Sequence, residues 1–246
     1  MYLDWYREAN TINTIHKWVV TVESRRPMMT EEIEKKLRAI VETSTRNAAI
    51  EEWKTAAEKQ RTPLYNYRLD HIEEVVSLST EIARNTDANL EVVVLAAWLH
   101  DLAKPGIGGI SAEQHGVASA ELAEEILTAE KVNPEVIEHV ADVIRKHVGL
   151  KIEKQLEPLE AQILWEADKI LKLGMIGLIQ SLFNTVRLFP GRNMIQIADS
   201  IREFLSLSSE ITACMYTKRG KEIANERLNT LRELSKRLDK ELNLGR

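Results

Sequence analysis

Hydrophobic residues recur at intervals of three and four positions along almost the whole chain, which is the spacing of an amphipathic α-helix. No stretch shows the two-residue alternation that is typical of a strand. We therefore predict an all-α fold with short connections. The helices predicted for the central part cover about 66–84, Asn89–Ala103, 112–129, Asn133–Gly149 and a stretch that begins at Pro158, with three or so more helices following.

The first 62 residues are predicted to be a helical extension, because Pro63 interrupts the periodic pattern there. One of its helices has an apolar stripe made of Ile33, Leu37, Ile40 and Val41. Residues 63–246 are predicted to form the main helical bundle with its C-terminal helices. Within that bundle the segment Leu90–Leu99 is apolar on almost all sides, so we predict that this helix lies in the middle.

Composition and charge narrow the class of protein. The chain has 246 residues, of which 44% are hydrophobic and 29% are charged, which is typical of a globular protein with a large core. A net charge of −5 gives no reason to expect an extended nucleic-acid surface. The single cysteine, Cys214, excludes an intramolecular disulfide and fits a cytoplasmic location. Charged and polar residues interrupt the most apolar run, Leu171–Phe189, so no membrane partner is expected.

Histidine and aspartate side chains interrupt the apolar faces of five predicted helices. The residues concerned are His71, His100, Asp101, His115, His147 and Asp168. His71, for example, continues the stripe to which Val75 and Leu78 belong, and His115 begins a stripe that includes Leu122 and Ile126. One hydrogen bond can satisfy a single buried histidine, but burying several such groups and two carboxylates separately is costly. A shared site is the simpler explanation.

The residue types indicate a divalent metal site. Neutral imidazoles with carboxylates, and without thiolates, suit Mn²⁺, Fe²⁺, Co²⁺, Ni²⁺ or Zn²⁺. Six ligands are too many for one tetrahedral metal that leaves room for substrate, and about right for two metals bridged by a carboxylate. We therefore expect a divalent metal cofactor, most simply as two ions, with the identity of the metal, Mg²⁺ included, left open.

The order of these residues resembles the H…HD…D signature of the HD superfamily of metal-dependent phosphohydrolases. The signature positions are matched, in order, by His71, His100, Asp101 and Asp168. His115 and His147 match the two further histidines of the binuclear members. Ala167-Asp168-Lys169 resembles another family segment, and Met215–Lys221 resembles the tail of small bacterial and archaeal HD hydrolases. The resemblance covers about 65–240 and implies an HD-type helical bundle.

The resemblance also implies roles for individual residues. The first metal would be held by His71, His100, Asp101 and Asp168. The second would be held by His115 and His147, with Asp101 as the bridge. Lys104, one turn after the ligands, is expected to bind a phosphate oxygen and to assist catalysis together with Asp101. Arg68 and Arg145 are weaker candidates for binding a small phosphorylated substrate, by default a nucleotide.

Two positions depart from the family pattern. Many relatives have Asp-Ala-Asp where this chain has Glu166-Ala167-Asp168, but the family's ligand is the second acid, so Asp168 keeps its expected role. Relatives that act as 5′-nucleotidases have a glutamate three residues after the HD aspartate, where this chain has Lys104. This second departure argues against a nucleotidase and favours the larger group with an HDxxK segment.

Three activities follow from the resemblance as alternatives. The first is hydrolysis of a nucleotide or another small phosphate ester, with the cleaved bond left open. The second is an oxygenase, because the same six ligands serve di-iron members that oxidise a C–H bond. The third is a sensor that binds a nucleotide and signals through residues 1–62. This extension is also compatible with a homodimer.

Overall fold

The computed structural model of the chain describes residues 31–52, 67–103, 111, 114–189 and 191–242. These parts contain nine α-helices and no strand, which confirms the all-α prediction. The helices are α1 (Glu31–Glu52), α2 (Tyr67–Ala83), α3 (Leu90–Leu99), α4 (His115–Ala129), α5 (Pro134–Lys146), α6 (Leu159–Leu171), α7 (Gly174–Leu188), α8 (Met194–Ala213) and α9 (Lys218–Glu241).

Two helices, α3 and α6, form the interior of the bundle. Every side chain of Val92–Leu99 and of Glu160–Leu171 is buried. Helices α2 and α5 each pack against both of them, and α4 lies against α5 and α3. The sequence predicted the central position of α3. The sequence did not predict that α6 is buried on all sides. The helix contains several charged and polar residues, which are typical of a solvent-facing helix.

Local sequence signals explain where two of the helices begin. The Asn89 side chain accepts hydrogen bonds from the backbone N–H groups of Glu91 and Val92. Asn133 caps α5 in the same way, and Pro134 occupies the first helical position. Helix α3 ends at Leu99 and not at Ala103, because turns replace the helix from residue 100 onward. The predicted ligands 100 and 101 therefore follow the central helix directly.

Helix α4 begins later and faces the core differently than predicted. Its first residue is His115, and residues 112–113 lie outside the described part of the chain. The predicted stripe was wrong at Leu122, which is 39% exposed, because the buried face consists mainly of small residues instead. At Gly116 an added Cβ would lie 2.5 Å from Val148 Cγ2, so glycine permits the close approach of α4 to the end of α5.

The described part of the N-terminal extension packs onto the main bundle. Helix α1 lies against α2 and α3, and its Leu37 and Val41 are fully buried in the same core. Residues 1–30 and 53–66, which include the predicted boundary between 62 and 63, lie outside the described residues. The division into an extension and a main domain therefore stays a prediction.

Helices α7, α8 and α9 follow the central bundle. They share a small second core in which Leu178, Ile201 and Leu231 are buried. Helix α9 also packs against α6, so it connects this C-terminal unit with the interior of the bundle. None of the described helices is long and apolar enough to cross a membrane.

Candidate metal centre

All six residues predicted as ligands lie next to one another. We call this group the His-Asp cluster: His71 on α2, His100 and Asp101 after α3, His115 at the start of α4, His147 at the end of α5, and Asp168 on α6. Five of them are buried, and only His115 is partly exposed. Residues that are far apart in the sequence thus meet where five elements converge.

Asp101 lies at the centre of the cluster. Its Oδ2 is 3.8 Å from His71 Nε2 and 3.6 Å from His100 Nε2. Its Oδ1 is 3.8 Å from the Nε2 atoms of both His115 and His147. The two oxygens of one carboxylate therefore face two separate pairs of imidazoles, which is the arrangement needed for a ligand shared by two ions.

Backbone carbonyls orient two of the histidine rings. His100 Nδ1 lies 2.8 Å from the carbonyl oxygen of Ala97, and His147 Nδ1 lies 2.6 Å from that of Ile144. A carbonyl can only accept, so each Nδ1 must hold the hydrogen and each neutral ring must present the lone pair of Nε2 to the cluster. Such a bond to the outer nitrogen is how proteins fix the tautomer of a metal-ligating histidine.

The buried surroundings of His100 favour a bound cation. Burial lowers the pKa of His100 to about 3, which the neighbouring Asp101 carboxylate opposes only in part. The ring is therefore neutral at pH 7, and its buried Nε2 makes no hydrogen bond within the described residues. A lone pair that faces a carboxylate oxygen in a buried site is unfavourable unless a positive charge lies between them. These donors fit a divalent metal.

Asp168 completes the cluster and contacts two lysines. Its Oδ1 is 3.1 Å from His71 Nε2 and 2.6 Å from Lys172 Nζ, and its Oδ2 accepts from Lys169 Nζ. Burial favours a higher pKa for Asp168, but Lys169, Lys172 and then the neighbouring His71 hold that pKa well below its usual range. Asp168 is therefore an ionised carboxylate, the form that binds metals.

Two groups of donor atoms within the cluster are close enough to hold an ion. In His71, His100 and Asp168 the donor atoms all lie within 4.8 Å of one another. The same is true of His100, Asp101 and His147. His115 adds a further nitrogen, 3.3 Å from His147 Nε2. Imidazole nitrogens with carboxylate oxygens suit first-row divalent metals, as the sequence predicted.

Comparison with known families identifies this region. The family described as HD domain matches residues 68–173, the part of the chain that contains the whole His-Asp cluster. This part of the chain is an HD domain. The signature resemblance seen in the sequence is thereby confirmed, and the helical bundle around the cluster is the fold of that family.

Solved structures share the fold over most of this chain. An HD-superfamily hydrolase from Bacillus thuringiensis is 20% identical, with a TM-score of 0.61, over 86% of this chain and 97% of the other. Bacillus subtilis YpgQ, in complex with ADP, is 18% identical, with a TM-score of 0.58, over 84% of this chain and 96% of the other. At these identities the likeness concerns the fold of the HD domain and its neighbouring helices.

A curated relative matches a shorter stretch. The tRNA (cytidine(56)-2′-O)-methyltransferase of Thermoplasma volcanium is 29% identical over 90 residues, which make up 37% of this chain. The match spans only 23% of the length of that protein. The similarity is therefore to a part of the methyltransferase and not to its whole chain.

The three predicted substrate-binding residues differ in where they lie relative to the His-Asp cluster. Arg68 is buried one turn before His71, on the same helix. Arg145 is not brought into the cluster, because its side chain is 39% exposed and its guanidinium lies 2.6 Å from a carboxylate oxygen of Glu124. The ion pair between α4 and α5 holds Arg145 at the surface, and its role in substrate binding stays a prediction. Lys104 lies outside the described residues.

Glu166, the position that departs from the family pattern, connects helix α6 to the start of α9 by hydrogen bonds. Its Oε1 accepts hydrogen bonds from the backbone N–H groups of Tyr216, at 2.6 Å, and Thr217, at 2.9 Å. Its Oε2 accepts from the Thr217 hydroxyl, and Gln162 donates to Oε1 at 2.8 Å. Glu166 thus binds the start of α9 and is not part of the His-Asp cluster.

Lys169 and Lys172 are absent from the residues that sequence reasoning proposed for the site. A signal for both exists in the sequence, since Lys169 follows Asp168 and Lys172 lies one helical turn beyond it. Lysines at such positions are common on solvated helices, and only the complete burial of α6 shows that the two ammonium groups contact a buried ligand. Burial lowers the pKa of Lys169, while Asp168 opposes this shift.

Proposed function

We propose that the protein is a metal-dependent phosphohydrolase that cleaves a phosphate ester or phosphoanhydride of a nucleotide or a small phosphorylated metabolite. One observation supports this proposal above the others: the buried carboxylate of Asp101 presents one oxygen to His71 and His100 and the other to His115 and His147. A carboxylate in this position can bind two divalent ions side by side, as in many enzymes of phosphate chemistry.

The six residues divide the work in this proposal. The first ion is held by His71, His100, Asp101 and Asp168, and the second by His115 and His147, with Asp101 shared. Bound metal supplies acidified water and polarises phosphoryl oxygens. The chain itself keeps the donors in place, since backbone carbonyls orient His100 and His147, and the surrounding bundle limits the access of bulk water.

Two facts favour an anionic substrate and, within that class, a nucleotide. The ammonium groups of Lys169 and Lys172 lie against Asp168 and increase the positive charge beside the donors. YpgQ, which shares the fold, has been crystallised in complex with ADP. We keep Lys104 as a proposed phosphate-binding residue that assists catalysis and Arg68 as a weaker substrate-binding candidate. A single cysteine in the chain favours a cytoplasmic location.

A hydrolysis screen tests the proposal. Protein loaded with Mn²⁺ is incubated with nucleoside mono-, di- and triphosphates, and released phosphate and pyrophosphate are measured separately. We expect turnover by the wild type and by the Asp142→Ala control, whose aspartate is 42% exposed and pairs with Lys146. Asp101→Ala should be inactive, because it loses the shared ligand. The product identifies the cleaved bond.

Absence of turnover by the wild type with every nucleotide would refute the hydrolase proposal for this substrate class. Turnover that is equal in wild type and Asp101→Ala would show that a contaminant or another site is responsible. In either case iron content and oxygen uptake become the next measurements, because they test the oxygenase alternative. Nucleotide binding without turnover or oxygen uptake would favour the sensor.

A further inference from the structure

The two lysines that contact Asp168 differ in their access to solvent. Lys169 is 5% exposed, and its ammonium donates to Asp168 Oδ2 and lies 3.4 Å from the carbonyl oxygen of His147. Lys172 is 38% exposed, and its ammonium lies 2.6 Å from Asp168 Oδ1. Lys169 is therefore enclosed by protein partners, whereas Lys172 extends from the surface to the edge of the cluster.

Lys172 shares its acceptor with a proposed metal ligand. Asp168 Oδ1 is the same oxygen that lies 3.1 Å from His71 Nε2. An ion held by His71 and Asp168 would draw on the negative charge of this oxygen and would repel the ammonium group of Lys172. A lysine has three donors on a flexible stem, so the group can turn toward another anion without rearrangement of the helix.

With two ions bound, the charges at the site would favour the binding of an anion. Two divalent ions together with Lys169 and Lys172 would carry more positive charge than Asp101 and Asp168 can neutralise, since histidines bind metals as neutral ligands. The only group here that combines solvent access with contact to the cluster, among the described lysines and arginines near Asp168, is Lys172. A phosphate that reaches the cluster on the side of Lys172 would therefore lie within reach of its ammonium group.

We propose that Lys172 binds a phosphate group of the substrate beside the metal position of His71 and Asp168. This inference rests on the proposed phosphohydrolase function and adds a residue to it that the family signature does not contain. Lys172 is a substrate-binding residue in this proposal, and Lys169 is a positioning residue that holds Asp168. Loss of a charge-assisted hydrogen bond of this kind is expected to weaken phosphate binding about tenfold.

Binding measurements test this role without relying on turnover. Isothermal titration calorimetry compares the wild type with Lys172→Ala and with Lys172→Gln, which keeps a polar side chain. Each protein is loaded with Mn²⁺ and freed of excess ion. It is then titrated with methylenediphosphonate, a non-hydrolysable pyrophosphate analogue. Mn²⁺ affinity is measured separately without the anion. We expect about tenfold weaker diphosphonate binding in both variants. Mn²⁺ affinity should be unchanged or higher, because a cation that competes for Asp168 Oδ1 has been removed.

Lys146→Ala is the matched control. Lys146 forms an i,i+4 pair with Asp142 at 2.7 Å and is 41% exposed, so it closely resembles Lys172 except that its partner is not a buried ligand. Its removal should leave diphosphonate affinity at the wild-type value. A similar loss in Lys146→Ala would mean that general surface charge, and not Lys172 itself, attracts the anion, and would overturn the proposal.

Three further results would overturn it. The first is unchanged diphosphonate affinity in both Lys172 variants, which would leave Lys172 as an ion-pair partner of Asp168 only. The second is a loss of diphosphonate affinity that merely follows a loss of bound Mn²⁺. The third is a loaded wild type that binds no diphosphonate. Failure of the hydrolysis screen with an intact Lys172 effect would refute catalysis alone, so the two proposals fail separately.

Discussion

The HD domain and the C-terminal helices bury their side chains in different ways. Around α3 and α6 one continuous core encloses charged and polar groups that converge on Asp101. Helices α7–α9 share only a small core around Leu178, Ile201 and Leu231. Large apolar side chains of α7 stay exposed there, namely Met175, Ile176, Ile179 and Phe183. Costly polar burial is thus concentrated where chemistry is proposed.

The two regions meet at helix α6, which α9 contacts on both sides of Asp168. Before Asp168, Glu166 accepts hydrogen bonds from Tyr216 and Thr217 at the start of α9. After it, Arg227 of α9 donates to the carbonyl oxygen of Ile170 at 3.0 Å. The C-terminal helices therefore support the position of a proposed metal ligand although they contribute no residue to the His-Asp cluster.

Truncating one leucine in each core should show the largest difference between the regions. Leu164→Ala, in the fully enclosed α6, is expected to lower the free energy of unfolding by about 4 kcal/mol, because its surroundings cannot collapse into the cavity. Leu231→Ala, in the small core, should cost about 2 kcal/mol, since the neighbouring side chains can relax toward solvent. Urea denaturation measures both values. Equal losses would contradict the view that the second core is looser.

Removing Glu166 should break the connection between the regions. Glu166→Ala leaves the N–H groups of Tyr216 and Thr217 without their acceptor and is expected to cost about 3 kcal/mol of unfolding free energy. Glu166→Gln keeps an acceptor and should cost less. Glu222→Ala, an exposed α9 residue paired with Arg219, is the control and should stay within about 0.5 kcal/mol of wild type. A negligible effect of Glu166→Ala would show that α9 holds α6 by apolar contacts alone.

Metal should stabilise the HD domain through Asp101. Mn²⁺ at about 100 times its dissociation constant is expected to raise the free energy of unfolding of the wild type by about 2.7 kcal/mol. In Asp101→Asn this gain should largely disappear, because the shared carboxylate is lost. Without metal the same variant should be at least as stable as wild type, since a buried carboxylate is costly. Thermal unfolding with Mn²⁺ and with chelator measures both effects. If Mn²⁺ raised the free energy of unfolding equally in both proteins, Asp101 would be excluded as a ligand.

Two substitutions test whether Glu166 is the reason that residue 220 is a glycine. A Cβ added at Gly220 would lie 2.0 Å from Glu166 Oε2, so Gly220→Ala is expected to cost about 2 kcal/mol in the wild-type background. In the Glu166→Ala background, where that carboxylate is absent, the cost should fall to about half but not vanish, because Thr217 Oγ1 would still lie 2.7 Å from the added Cβ. Additive losses in the double-mutant cycle would mean that the strain arises elsewhere.

The amino-acid sequence by itself determined the helices and the resemblance of the central segment, residues 68–173, to the HD domain. Periodic apolar positions, the helix starts near Asn89 and Asn133, and the order of His71, His100-Asp101 and Asp168 are local or ordinal features, so they can be recognised without knowledge of packing. The predicted burial of Leu122 was wrong. The face of α4 that packs against α5 consists mainly of small residues, and Leu122 lies on the exposed side.

Only the tertiary structure decided what the polar residues face. Arg145 resembled a phosphate ligand by its distance from His147 in sequence, but Glu124 of another helix holds it at the surface. Glu166 contacts α9, and Lys172 contacts Asp168 from the solvent side. Whether a charged side chain is a ligand, a structural partner or a solvated group depends on burial and on the charges that distant segments bring next to it. Those quantities arise when helices pack and not from residue spacing.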